Sequence, residues 1–431
     1  MYNKYINLQI FRIRSALVST AFKRLAVLDN MSMETKPLGQ HRLNFLQGLR
    51  GVAACIVVIH HFCCGFYPRM IFATGSTHMP YEALFWQTPL GIFISGPAPV
   101  ALFFILSGFV LSLPYLGNSA KNNDQLLTAI VKRPFRLLGL VYLTMLAAFL
   151  MHKANLFTSL QASDATGSDW LRNQFNGNVS VFRFMKDLLV SPFESSKDYN
   201  QPLWTISIEM IGSYLTYLVV LLLRHSKLRY PAYFLIGLQL SNSLYCGFLI
   251  GIIFADLTKL LPAVWNRFDR FWISIPLLGL GCYIAAYPPF VDQAALAESW
   301  YSFFPRFTFI ERYALIGATL LFLAVSSSIL LQRMFSTALL TYLGRISFAL
   351  YAVHLLLLRS FSCWFFTLLN LKLSYNLSFA FTAAASALLT VAVAHCLTIY
   401  FDEHVIRISD RIADFWNKSK QLTGSLNNCS V

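Results

Sequence analysis

The stretch NFLQGLRGVAACIVVIHHFCCGF, residues 44–66, decides the fold. It is long enough to cross a bilayer as one helix, because about 20 apolar residues in a helix span about 30 Å of hydrocarbon. Arg50, His60 and His61 are its ionisable basic side chains. Such groups are costly inside a membrane helix and usually face a cavity or a partner. The stretch therefore predicts a spanning helix with one polar face.

The rest of the chain has the same character. Of 431 residues, 56% are hydrophobic and 12% charged, whereas a soluble domain carries about 25% charged residues. The mean hydropathy is +0.56. The predicted fold class is all-α, a polytopic transmembrane helical bundle. Further spanning helices are predicted at 97–116, 135–151, 204–223, 271–289, 312–331, 346–368 and 377–400.

The stretch 230–257 is ambiguous, since it suits one long helix or two short ones broken near Leu240–Ser243. Lys and Arg concentrate in cytoplasmic loops. If the stretch forms two helices, the basic residues of 224–229 and 259–270 lie on the same side of the membrane as both tails. We therefore predict about ten spanning helices with both termini cytoplasmic. The predicted domains are a basic amphipathic tail (1–42), a membrane domain (43–400) and a cytoplasmic C-terminal tail (401–431).

The net charge of +15 would suggest nucleic acid in a soluble protein. Here the basic residues lie in short loops and the two tails, where they act as topology signals near anionic lipid headgroups. The predicted partner is the lipid bilayer and not nucleic acid. Eight scattered cysteines show no CxxC pair and no zinc spacing, so no metal site is predicted. The sequence leaves open the choice between plasma membrane and endomembrane, and the oligomeric state.

Three longer segments, 67–96, 152–203 and 290–311, fall on the non-cytoplasmic side in this topology. The second contains the triplet Asn178-Val-Ser180, a glycosylation sequon that also arises by chance. A ligand approaching from that side would contact these segments, which contain no recognisable sugar or lipid motif.

Arg50 and His61 are eleven residues apart, so they share a helix face and lie about 16 Å apart along the axis. Neutral imidazole is a natural general base near neutral pH. The planar fork of arginine holds phosphate or carboxylate. The alternative is an interfacial Arg and an interfacial His without chemistry, and the pair alone does not decide between the two.

Ser347, Tyr351 and His354 form a second polar stripe, with the i, i+4, i+7 spacing of one helix face. This stripe suits either a site or an interhelical hydrogen-bond seam. Glu209 lies in the first turns of the helix that begins at Trp204, and a carboxylate there needs a cationic or protonating partner. Glu209 is therefore a catalytic candidate or half of a structural ion pair.

Arg133 and Arg136 are predicted at the cytoplasmic start of the third helix, where they are part of a functional site or act purely as topology signals. Ser107 and Gly108 form a small pair within a helix, for which close helix packing is the default explanation. His395 is a lone histidine in the last helix and is predicted to be packed rather than catalytic.

Together these motifs resemble the acyltransferase-3 family of membrane acyltransferases, and most closely its fungal-like branch. Each motif alone is weak, whereas six in the family's order over about 44–400 are specific. The matching segments are GLRG at 48–51 with His61, FFILSGF at 103–109, RPFRL at 133–137, PLWT at 202–205 with Glu209, GFLIG at 247–251, and GRIS at 344–347 with Tyr351 and His354.

The resemblance implies transfer of an acyl group, often acetyl, from acyl-CoA to a hydroxyl of a sugar, lipid, glycan or small molecule. No bound cofactor is expected, since acyl-CoA is a substrate. The family's catalytic histidine and partner arginine correspond to His61 and Arg50. The arginine pair implicated in handling the donor corresponds to Arg133 and Arg136, and we assign the late serine, Ser347, to the donor site as well.

The predicted topology puts the arginines and Ser347 at the cytoplasmic end, where polyanionic CoA would bind. It puts His61 and Glu209 toward the far side. There His61 would take the proton from an acceptor hydroxyl, and Glu209 would orient or recharge the imidazole. Further buried polar groups are predicted at Trp204, Ser107, Tyr351 and His354.

Two other classes of protein fit part of the pattern. A transporter would use intramembrane His and Glu as a proton relay, but the sequence has no inverted repeat and no matching pair of broken helices. Substrate flux without acyl-CoA turnover would favour that class. A receptor-like or scaffold protein would tolerate conservative changes such as His61→Gln.

Overall fold

The computed structural model describes residues 43–117, 121–174, 180–190, 192–194, 200–260 and 271–413. These residues contain helices and no β-strand, so the predicted all-α class is confirmed. Four predictions fall wholly or partly on positions outside the described residues: the basic tail 1–42, Asn178 of the glycosylation triplet, the basic residues at 267–270, and the C-terminal tail from 414 to 431.

The frame of the described chain consists of helices of twelve or more residues. In chain order they are α1 (Asn44–Phe66), α2 (Pro97–Ser112), α3 (Asn123–Lys153), α4 (Trp204–Leu223), α5 (Arg229–Leu240), α6 (Tyr245–Leu260), α7 (Phe271–Ala285), α8 (Arg312–Ser327), α9 (Ala338–Leu357) and α10 (Tyr375–Leu397). Shorter helices lie at Arg69–Phe72, Ala83–Gln87, Ser159–Thr166, Asp169–Arg172, Val181–Val190, Gln293–Ala297, Ile329–Phe335 and Cys363–Asn370. There are 3₁₀ turns at Pro89–Ile94, Leu113–Tyr115 and Gln201–Leu203, and π-helical turns at Leu358–Ser362 and Thr398–Asp402.

By length and hydropathy, six helices in the described residues can cross a membrane. A seventh span results if Arg312–Ser327 and Ile329–Phe335, which are bent by 103°, cross together. These helices indicate a multi-pass membrane protein, while the count of about ten and the cytoplasmic termini stay predictions. The six are Asn44–Phe66, Pro97–Tyr115, Asn123–Lys153, Gln201–Leu223, Ala338–Asn370 and Tyr375–Ala413.

The ambiguous stretch 230–257 forms two helices, α5 and α6. The break falls at residues 241–244, next to the predicted Leu240–Ser243. The two-helix interpretation is therefore confirmed. With its twelve residues, α5 is too short to cross hydrocarbon upright.

Helix α3 begins twelve residues earlier than predicted, at Asn123. Asn122 caps it, with its side chain accepting from the Gln125 N–H at 2.9 Å in a capping box. Arg133 consequently lies about 15 Å inside the helix, and Pro134 is also internal. The prediction that these residues stand at the helix start is wrong.

The last helix also extends further than the predicted end at 400. It passes through its π-helical turn and continues to Ala413. The extension therefore packs on the bundle rather than leaving it at residue 401. Two ion pairs hold it there: Arg345 with Glu403, and Lys132 with Asp410 at 2.9 Å.

Two glycines set the spacing of α1 and α9. A Cβ on Gly51 would lie 2.7 Å from the backbone nitrogen of Gly344, which is closer than van der Waals contact allows. His61 and His354 each lie ten residues beyond these glycines. Because a helix rises about 1.5 Å per residue, two helices that touch at the glycines and run in the same direction can touch again about 15 Å further on, at the histidines.

The two small residues in α2, Ser107 and Gly108, have different functions. A Cβ on Gly108 would overlap the carbonyl group of Phe248, so the predicted close helix packing is confirmed there. Ser107 instead donates a hydrogen bond to Glu209 at 2.7 Å. Helix α2 thereby contacts both α6 and α4.

The described parts of the segments 67–96, 152–203 and 290–311 meet at one end of the bundle, which we call the loop end. His78 Nε2–H donates to the Thr166 carbonyl at 2.9 Å, and the Trp300 N–H donates to the Gln87 carbonyl at 2.9 Å. The three segments are thus together, as an acceptor site built from them requires. Which side of a membrane the loop end faces stays a prediction.

Candidate active site

The centre of the candidate site is a contact between two histidines on different helices. His61 Nδ1 lies 3.2 Å from His354 Nε2, and the ring centroids are 4.9 Å apart. His354 is fully buried and His61 is half-buried. The ring of Trp170, from the second long loop segment, lies 5.6 Å from that of His61. Sequence spacing placed each histidine on a polar face but did not predict that they meet.

Backbone carbonyls determine where the protons of this pair lie. His354 Nδ1 is 2.8 Å from the Tyr351 carbonyl, and His61 Nδ1 is 2.9 Å from the Val57 carbonyl. A carbonyl oxygen only accepts, so both Nδ1 atoms carry hydrogen. His354 Nε2 then accepts from His61 Nδ1–H. His61 Nε2 keeps its lone pair and makes no hydrogen bond to the described residues, which is the arrangement required of a general base.

The neighbouring His60 is arranged differently. Its Nδ1–H donates to the Ile94 carbonyl at 2.8 Å, and its Nε2 accepts from the Cys64 thiol at 3.5 Å. Both ring nitrogens are therefore occupied, and the side chain is 8% exposed. Of the two adjacent histidines in α1, His61 is the one whose ring is available for chemistry.

The three residues of the predicted stripe on α9 bind different partners, and His354 has already been described. Ser347 Oγ–H donates to the Gly344 carbonyl of its own helix at 2.8 Å. The Tyr351 hydroxyl donates to the Pro202 carbonyl at 2.8 Å and lies 2.9 Å from Thr205 Oγ1. Tyr351 thus fixes the start of α4 against α9, one turn before His354.

A second polar centre joins α2, α3 and α4. Glu209 Oε1 accepts from Arg133 Nη2 and from Ser107 Oγ–H, the latter at 2.7 Å. Arg133 Nε–H also donates to Ser213 Oγ at 2.8 Å. The prediction that placed Glu209 at the opposite end of the bundle from the arginines is wrong. Because α3 begins early, Arg133 lies deep enough in the bundle to pair with this carboxylate.

Arg50 belongs to the same region, since it interacts electrostatically with Glu209, Arg133, Arg136 and Asp402. We call these five residues the arginine–carboxylate cluster. Three arginines and two carboxylates give it a formal charge of +1. Sequence reasoning missed Asp402, which follows the predicted end of the last helix and was assigned to the tail.

Arg136 is the member of this cluster with the freest side chain. It is exposed and makes no hydrogen bond or ion pair within the described residues. Arg133, by contrast, uses its donors on Glu209 and Ser213. A polyanionic ligand would therefore meet Arg136 before Arg133.

The cluster and the histidine pair are separate centres on α1. The eleven residues between Arg50 and His61 correspond to about 16 Å, and no hydrogen bond joins the two in the described chain. Of the other predicted residues, Trp204 packs on the apolar cluster around Phe248. His395 Nδ1 lies 3.1 Å from the Tyr342 hydroxyl, a packed position.

Comparison with known proteins identifies relatives of the chain. A family model described as an acyltransferase domain matches residues 43–399. The chain is 24% identical to O-acetyltransferase PaAT-1 of Phomopsis amygdali over 440 residues, which cover 88% of this chain and 85% of that protein. It is 26% identical to acyltransferase clz18 of Cochliobolus lunatus over 331 residues, 63% of this chain and 69% of the relative. No solved structure matches the chain.

Proposed function

Because the chain belongs to the acyltransferase family whose model covers residues 43–399, and so is an acyltransferase, we propose that it moves an acyl group from acyl-CoA to a hydroxyl. The transferred group is acetyl in this proposal, supported by the relative named an O-acetyltransferase. The acceptor is a carbohydrate, lipid or small molecule. The comparisons give no support to the transporter alternative.

One observation carries the mechanism: His61 Nε2 holds a free lone pair while its Nδ1–H is fixed by Val57 and His354. His61 takes the proton of the acceptor hydroxyl, and the oxygen attacks the thioester carbonyl. The C–S bond breaks, and the imidazolium returns the proton to the CoA sulfur. General-base catalysis of this kind contributes roughly 10²–10⁴ in rate.

His354 acts on His61 rather than on the substrate. As His61 becomes an imidazolium, its Nδ1–H hydrogen bond to His354 Nε2 becomes charge-assisted, and such bonds are stronger than neutral ones. His354 is therefore a positioning residue. Tyr351, which anchors α9 to α4 beside it, supports the same geometry.

The donor enters at the arginine–carboxylate cluster in this proposal. CoA phosphates suit arginine, which forms charge-assisted bidentate hydrogen bonds with phosphate. Arg136 is free to make such contacts, whereas Arg133 is held by Glu209 and positions the cluster. In this proposal the pantetheine arm passes Arg50 and Ser347 on its way to His61.

The test is acyl-CoA consumption by purified, folded protein. We expect His61→Ala to lose at least a hundredfold in CoA release, in line with the loss of a general base, and Arg50→Ala to lose activity as well. The matched control is His225→Ala, because His225 is an exposed histidine outside both centres. Activity within tenfold of wild type in both His61→Ala and Arg50→Ala would rule out the assignment.

The acceptor can be sought in cells that carry or lack the gene. Mass spectrometry of lipids, glycans and small molecules should reveal a species that loses one acyl mass when the gene is absent. Restoration by the wild type but not by His61→Ala would connect that species to this site.

A further inference from the structure

Two neighbouring cavities lie at the loop end. The smaller, about 30 Å³, is lined by His60, Trp86 and Phe290, among others. The larger, about 430 Å³, is lined mainly by residues of 306–313. Tyr287 and Pro289 line both, so the cavities adjoin and form one continuous lining.

The walls are mainly aromatic and apolar. Trp86 and Tyr287 belong to a packed cluster with Tyr301 and Tyr313, and Phe290 is 41% exposed at the edge. The larger cavity has a volume within the range of small-molecule sites, about 300–1,000 Å³. The lining thus suits a ligand with an apolar ring system rather than a hydrated chain.

The smaller cavity is lined by a residue with a buried, unpaired hydrogen-bond donor, which suits a ligand oxygen. The Trp86 side chain is 5% exposed, and its Nε1–H has no hydrogen-bond partner within the described residues. Burying a donor without an acceptor costs free energy, which an oxygen atom of a ligand would remove. Trp86 lines the smaller cavity, next to His60.

His60 lines the smaller cavity and also contacts His61, the proposed general base. Both of its ring nitrogens are occupied by Ile94 and Cys64, so it forms an inert wall. Its ring centroid lies 5.2 Å from that of His61. A ligand against His60 is therefore one side chain away from the group that takes the acceptor proton.

We propose that the two cavities form the acceptor site, and that the acceptor is an apolar, ring-bearing alcohol of small-molecule size. Trp86 Nε1–H donates to one of its oxygens, and the aromatic walls hold its rings. This inference rests on the proposed function, in which the alcohol loses its O–H proton to His61, forms an ester with the acyl group, and CoA leaves as the thiol.

The test uses the full chain in lipid nanodiscs with acetyl-CoA. The probe alcohol is 2-naphthaleneethanol, and the carbohydrate comparators are methyl glucoside and chitotetraose. Ester formation is followed by mass spectrometry. We expect the naphthyl ester to form, with a kcat/KM at least tenfold above that of either carbohydrate.

Two variants test the cavities themselves. Trp86→Phe keeps an aromatic ring but removes the N–H, so the KM for 2-naphthaleneethanol should rise about tenfold, as loss of one hydrogen bond allows. Thr308→Trp should act likewise by filling the larger cavity, and Thr308 is exposed, so the fold is preserved. The KM for acetyl-CoA should stay unchanged in both. The control, Trp300→Phe, changes a tryptophan that is 61% exposed at the same end and should alter neither KM.

Either of two results would overturn the acceptor site: faster esterification of a carbohydrate, or an unchanged KM for the naphthyl alcohol in both cavity variants. The proposed function is judged separately by CoA release that depends on His61. If that release occurs while 2-naphthaleneethanol is not esterified, the acceptor site fails and the proposed function stands. If the wild type releases no CoA, both fail.

Discussion

Arg133 donates to the carboxylate of Glu209 in the interior of the bundle, about 15 Å along α3 from its start. Each side chain is 14% exposed. Such a pair contributes little net stability when complete, but removing one partner leaves an uncompensated buried charge. Glu209 is thus the counter-ion of Arg133, and its position fixes α4 against α3.

The first prediction concerns this pair. Glu209→Ala should lower the free energy of unfolding by about 3–5 kcal/mol, because the Arg133 charge is left buried without its partner. The matched control is Glu403→Ala, which breaks the more exposed pair with Arg345 and should cost less than about 1 kcal/mol. Thermal and denaturant unfolding in one detergent measure both. Equal losses in the two variants would show that the Glu209 pair is not effectively buried.

The second prediction concerns His354. His354→Ala removes one of the two acceptors of His61 Nδ1–H and leaves the Val57 carbonyl, and a hydrogen bond to a charged group contributes about 1.5–3 kcal/mol. We expect kcat to fall about 10- to 150-fold while the KM for acyl-CoA stays the same. His354→Gln, whose amide oxygen can accept, should recover part of the loss. No recovery, together with a raised KM, would indicate a structural function of His354 instead.

The third prediction tests the contact of α1 with α9. Gly51→Ala places a methyl group against the backbone of Gly344, which forces the helices apart and separates the histidines. We expect a lower melting temperature and a fall in kcat. Gly279→Ala is the control, since a Cβ there has no neighbour within 4 Å, and it should be neutral or stabilise the helix by up to about 1 kcal/mol. Wild-type kcat in Gly51→Ala would contradict the proposed dependence of the histidine pair on this contact.

The fourth prediction concerns donor binding. Arg136→Ala should raise the KM for acyl-CoA about tenfold or more, because a charge-assisted contact to phosphate is lost, with kcat changed little. Arg333→Ala, a change at another exposed arginine, should leave KM unaltered. Higher salt should weaken donor binding in the wild type and less so in Arg136→Ala, since exposed charges are screened. An unchanged KM would assign Arg136 to topology alone.

Much of the frame was predictable because it depends on local sequence. Apolar length predicted α1, α2 and α4 closely, and charge placement predicted the break between α5 and α6. Helical periodicity put Ser347, Tyr351 and His354 on one face. These inferences need only one helix at a time.

The partners could not be predicted, because they depend on how helices cross. Nothing local to His354 indicates that its ring meets His61, although periodicity did place His61 rather than His60 on the face of Arg50. The Glu209 error arose from the start of α3, because the charges at 132–136 were interpreted as marking that start, although the Asn122–Gln125 capping box lies earlier. Asp402 was missed because the extension of α10 is polar and is held by ion pairs.

The ten residues from Gly51 to His61 and the ten from Gly344 to His354 have a further consequence. Each helix turns about 100° per residue. Deleting one residue between glycine and histidine in either helix would rotate that imidazole away from its partner, whatever the remaining side chains are. These two intervals can therefore vary in composition over evolution but not in length, unless both helices change by the same whole number of turns.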